Sequence, residues 1–227
     1  MTAMARKLRF LVSGTDTGVG KTTVACALAS GFTARAMRVA VMKPAETGCE
    51  LRDGELIALD ALALRAAALS SAPLELICPY RYPSAIAPAA AADLDGLEPP
   101  DLGRIRAACE QLAHDSDIML VEGAGGIAVP LTWRENYADA ALELDLELIL
   151  VVPNRLGCLN GAVLSLDYAT RRGVRVKGYI LNDVDAAPSL AARTNVRSLG
   201  RLTPAACLGA ISYGQTVVGK ICERLLG

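Results

Sequence analysis

Short β-branched runs alternate with longer stretches of helical periodicity along most of the chain. The pattern predicts strands at Leu8–Ser13, Arg38–Lys43, Asp117–Val121, Glu147–Val152, Val174–Leu181 and Cys207–Ile211. It predicts helices at Thr22–Ala36, Glu55–Leu69, Leu102–Ala113, Tyr137–Leu144, Asn160–Arg172, Ser189–Leu199 and Thr216–Leu226. Apolar strands that alternate with helices are typical of α/β proteins. We therefore expect one domain over residues 1–227, with a doubly wound, mostly parallel sheet and helices on both faces.

The segment from Ala72 to Pro100 interrupts this alternation. It is rich in Pro and Ala, and its sequence favours one short helix near Ala87–Ala92. Long structureless loops are uncommon in compact domains. The segment is therefore either packed against the domain with a functional role or a surface excursion.

Composition and charge exclude several classes of protein. Hydrophobic residues make up 52% of the chain and the mean hydropathy is +0.34, which excludes intrinsic disorder. The 23 Lys and Arg nearly balance 24 Asp and Glu, so the chain has no general attraction for nucleic acid or an anionic membrane. It contains no apolar run long enough for a transmembrane helix and no secretory signal pattern. We expect a soluble cytoplasmic protein.

The cysteines and histidines do not favour a metal or disulfide framework. The seven cysteines stand singly, without a C-x-x-C pair, so reduced thiols are expected. A single histidine, His114, does not favour a His-based zinc site or a catalytic triad.

A glycine-rich segment joins the first predicted strand to the first predicted helix. It reads Gly14-Thr-Asp-Thr-Gly-Val-Gly-Lys-Thr22. Such a turn binds a nucleoside triphosphate because backbone N–H groups and the helix N-terminus face the phosphates. Lys21 would reach the β- and γ-phosphates, and the Thr22 hydroxyl would bind Mg²⁺. The strict P-loop pattern requires Gly where Thr15 stands, so the pattern fails narrowly while its chemistry is retained.

Polar residues and glycines also follow the other predicted strands. Lys43-Pro44, Glu122-Gly123 and Asn182-Asp183 each stand where a strand ends. Since ligands bind at the carboxyl ends of parallel strands, we expect these residues to gather around the nucleotide. The guanine-reading Asn-Lys-x-Asp motif is absent, which favours ATP over GTP.

Each candidate site residue also has an ordinary structural alternative. Lys43 could neutralise a transferring phosphoryl group or be a surface lysine. Glu122 could help to bind Mg²⁺ or be a solvated acid. Asn182 could read the adenine edge or belong to a turn. Asp60 is a lone carboxylate on a mostly apolar predicted helix and could simply be exposed.

In their order along the chain, these motifs resemble the dethiobiotin synthetase family of biotin biosynthesis. The resemblance rests on Gly14–Thr22, Lys43-Pro-Ala-Glu-Thr-Gly48, Asp60-Ala-Leu-Ala-Leu64, Val121-Glu-Gly-Ala-Gly-Gly126, Leu156-Gly-Cys-Leu-Asn160 and Asn182-Asp-Val184. It implies a P-loop nucleotide-binding fold and a ligase that uses ATP and Mg²⁺. Such a ligase closes the ureido ring of 7,8-diaminononanoate with CO₂, through a carbamate and a carbamic-phosphoric mixed anhydride, and releases dethiobiotin, ADP and phosphate.

The resemblance also implies roles for individual residues. It implies ATP binding by Asp16, Thr17, Gly18, Val19, Gly20, Lys21, Thr22, Thr23 and Asn182, and Mg²⁺ binding by Thr22, Asp60 and Glu122. Lys21 and Lys43 would be catalytic, because they would stabilise the phosphoryl oxygens and the carbamate. Substrate binding is implied for Thr47, Gly157, Cys158, Leu159 and Asn160, the last four acting across a homodimer interface.

Two other classes share part of this pattern. Cobyrinate- and cobyrate-type amide ligases carry an additional glutamine-hydrolysing domain, for which 227 residues are too few. Partition-type ATPases, which are nucleotide-switched binding modules, carry a signature lysine early in the loop where this chain has Asp16. They are the main alternative. The chain departs from the synthetase family at Gly161, where His is common, and at Ala210–Tyr213, where Ile-Pro often contacts the nucleotide.

Overall fold

The computed structural model describes residues 7–187, 189–216 and 218–227. The strands are β1 (Leu8–Gly14), β2 (Val39–Met42), β3 (Ala45–Thr47), β4 (Glu50–Arg52), β5 (Glu55–Ile57), β6 (Tyr80–Tyr82), β7 (Ile118–Gly126), β8 (Glu147–Pro153), β9 (Val176–Asn182) and β10 (Cys207–Ile211). The helices are α1 (Lys21–Thr33), α2 (Leu59–Ala67), α3 (Leu74–Ile77), α4 (Pro88–Asp95), α5 (Leu102–Ala113), α6 (Tyr137–Glu143), α7 (Cys158–Arg171), α8 (Leu190–Leu202) and α9 (Gly219–Leu226).

The central sheet has six strands in the order β10-β9-β8-β1-β7-β2. All of its strand pairs are parallel. β2 and β7 lie on one side of β1, and β8, β9 and β10 lie on the other. The strand order therefore reverses at β1, and a crevice for a ligand is expected at its carboxyl end.

Both faces of the sheet are covered by helices. Phe10 and Val12 of β1 pack into one buried cluster with residues of α1, α2 and α9. Leu11, between them, points to the opposite face and packs with residues of α5, α6, α7 and α8. All three side chains are fully buried. This arrangement confirms the doubly wound α/β prediction and explains why β1 is apolar at successive positions.

Most predicted elements coincide with observed ones to within a few residues. The predicted helix over Glu55–Leu69 is wrong in its first part, because Glu55–Ile57 is β5 and α2 begins at Leu59. β5 pairs with β4 around Asp53-Gly54, where φ is +52° and +83°. Two successive positive φ values are typical of a tight type I′ hairpin turn. The predicted helix over Thr216–Leu226 begins at Gly219, and Val217 lies outside the described residues.

The segment over residues 72–100 is packed against the domain. It contains α3, β6 and α4, and the predicted short helix corresponds to α4. β6 pairs in parallel with β3, with Thr47 opposite Tyr82. The Tyr82 hydroxyl donates a hydrogen bond to the Glu98 carbonyl at 2.7 Å. The alternative of a surface excursion is therefore wrong.

The cysteines form no disulfides in the structure. All seven cysteines are free, five of them buried. Among the described residues, no helix has the length and apolar character needed to cross a bilayer.

Candidate functional site

A cleft of about 570 Å³ opens at the carboxyl ends of β1, β2 and β7. This volume lies within the usual range for small-molecule sites. The lining residues are Thr17, Gly18, Gly20, Lys21, Thr22, Thr23, Lys43, Glu46, Thr47, Asp60, Ala85, Ile86, Ala87, Pro88, Glu122, Ala124, Gly125 and Val129. The phosphate loop thus shares one cavity with residues from β3, the start of α2 and the end of β7.

The phosphate loop turns through two glycines before α1. φ is +74° at Gly18 and +87° at Gly20. A Cβ at position 20 would lie 2.2 Å from Asn182 Nδ2, so no larger residue fits there unless Asn182 moves. Asn182 Nδ2 also donates a hydrogen bond to the Val19 carbonyl at 3.0 Å. The last residue of β9 therefore supports the loop, and Asn182 is a buried strand residue rather than part of an exposed turn.

Lys21, the first residue of α1, folds back over the loop. Its Nζ donates a hydrogen bond to the Asp16 carbonyl at 3.0 Å. Burial lowers the pKa of Lys21, and the nearby Lys43 ammonium lowers it further. A phosphate group bound in the loop would stabilise the charged form of this lysine.

Lys43 occupies the centre of the cleft, one residue after β2. Its Nζ donates hydrogen bonds to Glu122 Oε1 at 2.5 Å and to Asp60 Oδ2 at 2.9 Å. Its side chain is only 4% exposed. Burial alone would lower the pKa of Lys43, but the carboxylates of Glu122 and Asp60 outweigh burial and raise that pKa. The alternative of an ordinary surface lysine is therefore wrong.

Glu122 lies within β7 and faces the first turn of α1. The Thr22 hydroxyl donates a hydrogen bond to Glu122 Oε1 at 2.8 Å. The Glu122 side chain is fully buried, which rules out a solvated acid. Its other oxygen, Oε2, is buried without a hydrogen-bond partner. A buried carboxylate oxygen without a donor is the kind of group that a cation or its bound water satisfies.

Asp60 reaches the cleft from the second position of α2. Its side chain is 41% exposed, and its carboxylate also contacts the Lys43 ammonium. Burial by itself would raise the pKa of Asp60, but the Lys43 ammonium lowers it below the ordinary value. The backbone N–H of Asp60 donates to Glu46 Oε1 at 2.9 Å. Asp60 is thus held at both its backbone and its carboxylate.

The donor set at the centre of the cleft fits Mg²⁺. Thr22, Asp60 and Glu122 supply a hydroxyl and two carboxylates, which are hard oxygen ligands. In the described parts of the chain, no group of three or more His, Cys, Asp or Glu could hold a metal ion. Mg²⁺ commonly uses one or two carboxylates and fills its remaining positions with water and substrate phosphates. Two carboxylates beside a phosphate loop therefore suit Mg²⁺ better than a metal that needs a full protein cage.

The residues predicted from sequence fall into two groups. The cleft brings together Thr17, Gly18, Gly20, Lys21, Thr22, Thr23, Lys43, Thr47, Asp60 and Glu122. The remaining predicted residues are not among those that line it: Asp16, Val19, Asn182 and residues 157–160. The first turn of α7 lies beside the loop instead, since a Cβ at Gly161 would be 3.4 Å from Thr15 Cβ. Leu156, just before α7, is 86% exposed.

Two contributors to the cleft were missed by sequence reasoning. Glu46 was visible only as part of the Lys-Pro-Ala-Glu-Thr-Gly run, although it is a buried carboxylate three residues after Lys43. Residues 85–88 also line the cleft, and Ala85 lies beside Gly48, where an added Cβ would be 3.2 Å from the Ala85 Cβ. Their Pro and Ala composition gave no chemical signal.

Solved structures of similar fold include MinD proteins. The septum site-determining protein MinD of Pyrococcus horikoshii, complexed with Mg-ADP, matches with a TM-score of 0.56 and 18% identity, over 96% of this chain and 86% of that chain. The cell division ATPase MinD of Pyrococcus furiosus matches with a TM-score of 0.55 and 14% identity, over 97% of this chain and 98% of that chain. At these identities the likeness shows the fold alone.

Comparisons of sequence identify the family. A family model described as an AAA domain matches residues 8–220. The ATP-dependent dethiobiotin synthetase of Aromatoleum aromaticum is 40% identical over 92% of both chains. That of Anaeromyxobacter dehalogenans is 43% identical over 85% of this chain and 84% of its own, and that of Pseudomonas aeruginosa is 40% identical over 89% and 88%. This chain belongs to the ATP-dependent dethiobiotin synthetase family.

Proposed function

We propose that this chain closes the ureido ring of dethiobiotin from 7,8-diaminononanoate, CO₂ and ATP. The observation that carries the proposal is the meeting of Lys21, Lys43, Asp60 and Glu122 beside Thr47 in one cleft. Two cations and two carboxylates next to a phosphate loop suit an ATP-driven ligation. The similarity to dethiobiotin synthetases supplies the substrate class.

The proposed reaction has three steps. One amine of the substrate attacks CO₂, so an N–C bond forms, one C–O π bond opens onto oxygen, and the amine loses a proton to give the carbamate. A carbamate oxygen then attacks the γ-phosphorus, and the bond to the β-phosphate oxygen breaks to release ADP. The second amine attacks the carbonyl carbon of this mixed anhydride, phosphate leaves, and the ring closes with loss of a second proton.

The cleft residues would contribute by charge and position. Lys21 would pair with the β- and γ-phosphates, and Lys43 would neutralise oxygens of the carbamate and the transferring phosphoryl group. Thr47, which lines the same cleft, would contact the diamine. In this reaction, positioning and charge neutralisation provide most of the rate, because little covalent chemistry falls to the protein.

Mg²⁺ would be held by Thr22, Asp60 and Glu122. When bound, the ion neutralises phosphate oxygens of ATP. Thr22 and Glu122 already form a hydrogen bond at 2.8 Å, and the Lys43 ammonium lowers the pKa of Asp60, against the effect of burial. Asn182 does not line this cleft, so its proposed contact with the base, in which its amide oxygen accepts a hydrogen bond from the adenine amino group, would lie outside it.

The proposed reaction is tested by product analysis. The protein is incubated with diaminononanoate, bicarbonate and Mg-ATP, and mass spectrometry and phosphate release are followed together. We expect the mass of dethiobiotin only when every component is present, with one phosphate per product. A rate of ATP hydrolysis that is the same with and without the diamine would contradict the proposal and favour the partition-type ATPase alternative.

We also propose that the chain acts as a homodimer whose sites are shared. The helix start at Gly157 has no side-chain cap. Although the Cys158 N–H donates to the Arg155 carbonyl at 3.3 Å, the next N–H groups of the first turn can receive the carboxylate of the substrate. Residues 157–160 do not line the cleft of their own chain, while Leu156 beside them is 86% exposed. A second copy that brings this helix start to the cleft would complete the substrate site.

The shared site is tested by mixing two inactive variants. Lys43→Ala removes a residue of the cleft, and Asn160→Asp puts a negative charge at the α7 start. In mixed dimers one site carries both changes and the other carries neither, so random mixing restores about a quarter of wild-type turnover. No recovery on mixing, or a fully active monomer in light scattering, would contradict the shared site.

A further inference from the structure

The most unusual group in the cleft outside the expected set is the carboxylate of Glu46. It lies on β3, is 6% exposed and lines the cleft. In the described parts of the chain, no Lys or Arg lies within ion-pair distance of it. Instead, Oε1 accepts the N–H of Asp60 and Oε2 accepts the N–H of Ala61, each at 2.9 Å.

These two N–H groups belong to the first turn of α2. The residue that precedes this helix is Ala58, which has no side-chain oxygen and makes no capping bond. Asp60 and Ala61 are the second and third helical residues, whose N–H groups a Ser, Thr, Asn or Asp at the N-cap usually satisfies. Glu46, which lies on a separate strand, therefore caps the N-terminus of α2 in place of a local N-cap residue. Its negative charge also interacts favourably with the helix N-terminus.

The cap is coupled to the chemistry through Asp60. Glu46 holds the backbone of Asp60, and Lys43 holds its carboxylate at 2.9 Å. Lys43 and Glu46 are separated only by Pro44 and Ala45. Asp60 is therefore fixed from two points of one short segment, and the start of α2 cannot shift without breaking one of these contacts.

Burying the Glu46 carboxylate without a paired cation is unfavourable, and the N–H groups at the start of α2 compensate for this. Burial raises the pKa of Glu46, while the N–H groups of Asp60 and Ala61 act in the opposite direction. The carboxylate is thus stabilised by the N-terminal end of α2 rather than by an ion pair. Glu46 therefore acts directly on the start of α2 and affects the cleft through that helix.

We propose that Glu46 is a positioning residue that caps α2 across the fold and so holds Asp60 at the Mg²⁺ and nucleotide site. The proposal rests on the function proposed above and adds a residue to it. In this role Glu46 contacts neither the nucleotide nor the diamine. Its loss is compensated by any other group that caps the same turn.

The test restores the cap from a different position. Glu46→Ala removes the acceptor, and Ala58→Ser provides a hydroxyl at the N-cap, where the backbone is already extended. The variants are E46A, A58S and E46A/A58S. Each is measured for hydrogen exchange of the Asp60 and Ala61 amides, for the affinity of ADP with and without Mg²⁺, and for turnover.

We expect E46A to speed exchange of the two amides at least about tenfold and to reduce the gain in ADP affinity that Mg²⁺ provides at least about fivefold. ADP affinity without Mg²⁺ should change little. In E46A/A58S, most of both losses should be recovered, and kcat should return with them. A58S alone should behave as wild type.

Three results would overturn the proposal. The first is failure of A58S to rescue E46A, and the second is a rise in KM for the diamine with an unchanged effect of Mg²⁺. The third is unchanged amide exchange in E46A. If E46A does not fold, Glu46→Gln replaces it, since one amide oxygen can still accept a hydrogen bond and a partial loss with the same rescue is expected. If the wild-type protein makes no dethiobiotin, the exchange and ADP measurements still decide the role of Glu46.

Discussion

Lys43 Nζ lies 2.5 Å from Glu122 Oε1, and both side chains are buried, with exposures of 4% and 0%. The same ammonium also binds Asp60. A buried carboxylate without a compensating cation is strongly unfavourable. Lys43 therefore has two functions, since it neutralises the acidic centre of the cleft and presents a positive charge to the substrate.

Replacing Lys43 should separate these two functions. Lys43→Ala leaves Glu122 buried without its cation, and we expect the free energy of unfolding to fall by about 3 kcal/mol. Turnover should fall about a hundredfold or more, because the charge that stabilises the transferring phosphoryl group is lost. Urea unfolding and dethiobiotin formation measure the two effects.

A double variant distinguishes stability from catalysis in this experiment. Glu122→Gln removes the uncompensated charge, so K43A/E122Q should regain most of the stability of wild type. It should remain inactive. Near-normal turnover in K43A would remove Lys43 from the mechanism, and equal stability of K43A and wild type would mean that Glu122 does not depend on it.

The hydroxyl of Thr22 should govern the use of Mg²⁺. Thr22→Val keeps the shape of the side chain but removes the donor to Glu122 and the predicted metal ligand. We expect the Mg²⁺-dependent gain in ADP affinity to fall about tenfold, because one bond to a charged group is lost. Thr33→Val is the matched control on the same helix, since the Thr33 hydroxyl donates to the Ala29 carbonyl of that helix. Calorimetric titration with equal effects in both variants would contradict a metal role for Thr22.

The sequence predicted the central sheet well because its signals are local. β1 is apolar on both faces, and the glycine-rich loop that leads to Gly20-Lys21-Thr22 begins directly after it, so both strand and loop are visible in one short run. The helix predicted from Glu55 failed at its start because Asp53-Gly54 forms a hairpin turn whose strands are short and largely exposed. Exposed strands lack the hydrophobic alternation on which strand prediction depends.

The role of Glu46 could not be predicted from sequence for a different reason. Its partners, the N–H groups of Asp60 and Ala61, are backbone groups 14 and 15 residues away. Capping motifs are recognised from residues next to the helix, and Ala58 gives no such signal. Lys43 and Glu122 are 79 residues apart in the sequence. Their ion pair can be predicted only when β2 and β7 are known to be neighbours in the sheet.

Gly20 should tolerate substitution less than Gly18. Both have positive φ, so Ala is strained at either position by about 1 kcal/mol. A Cβ at Gly18 meets nothing within 4 Å, whereas at Gly20 it meets Asn182 Nδ2 at 2.2 Å. We expect Gly20→Ala to weaken ADP binding and stability more than Gly18→Ala. Measured against N182A, which lacks the obstacle, the further loss of stability in G20A/N182A should be close to the loss in G18A, and equal losses in G18A and G20A would contradict the close contact.

The affinity for ADP should fall at alkaline pH because of Lys21. Burial and the nearby Lys43 lower the pKa of Lys21, so its ammonium loses a proton at a lower pH than an ordinary lysine does. The neutral amine no longer attracts phosphate, so the dissociation constant should begin to rise at a lower pH than the one at which an ordinary lysine loses its proton. Lys43 does not produce this change, because its carboxylate partners raise its pKa and keep it charged. Lys21→Arg should remove the pH dependence, since guanidinium stays protonated, while Lys220→Arg on the exposed part of α9 should retain it. If the dissociation constant for ADP still rises at alkaline pH in K21R, another group is responsible for the titration.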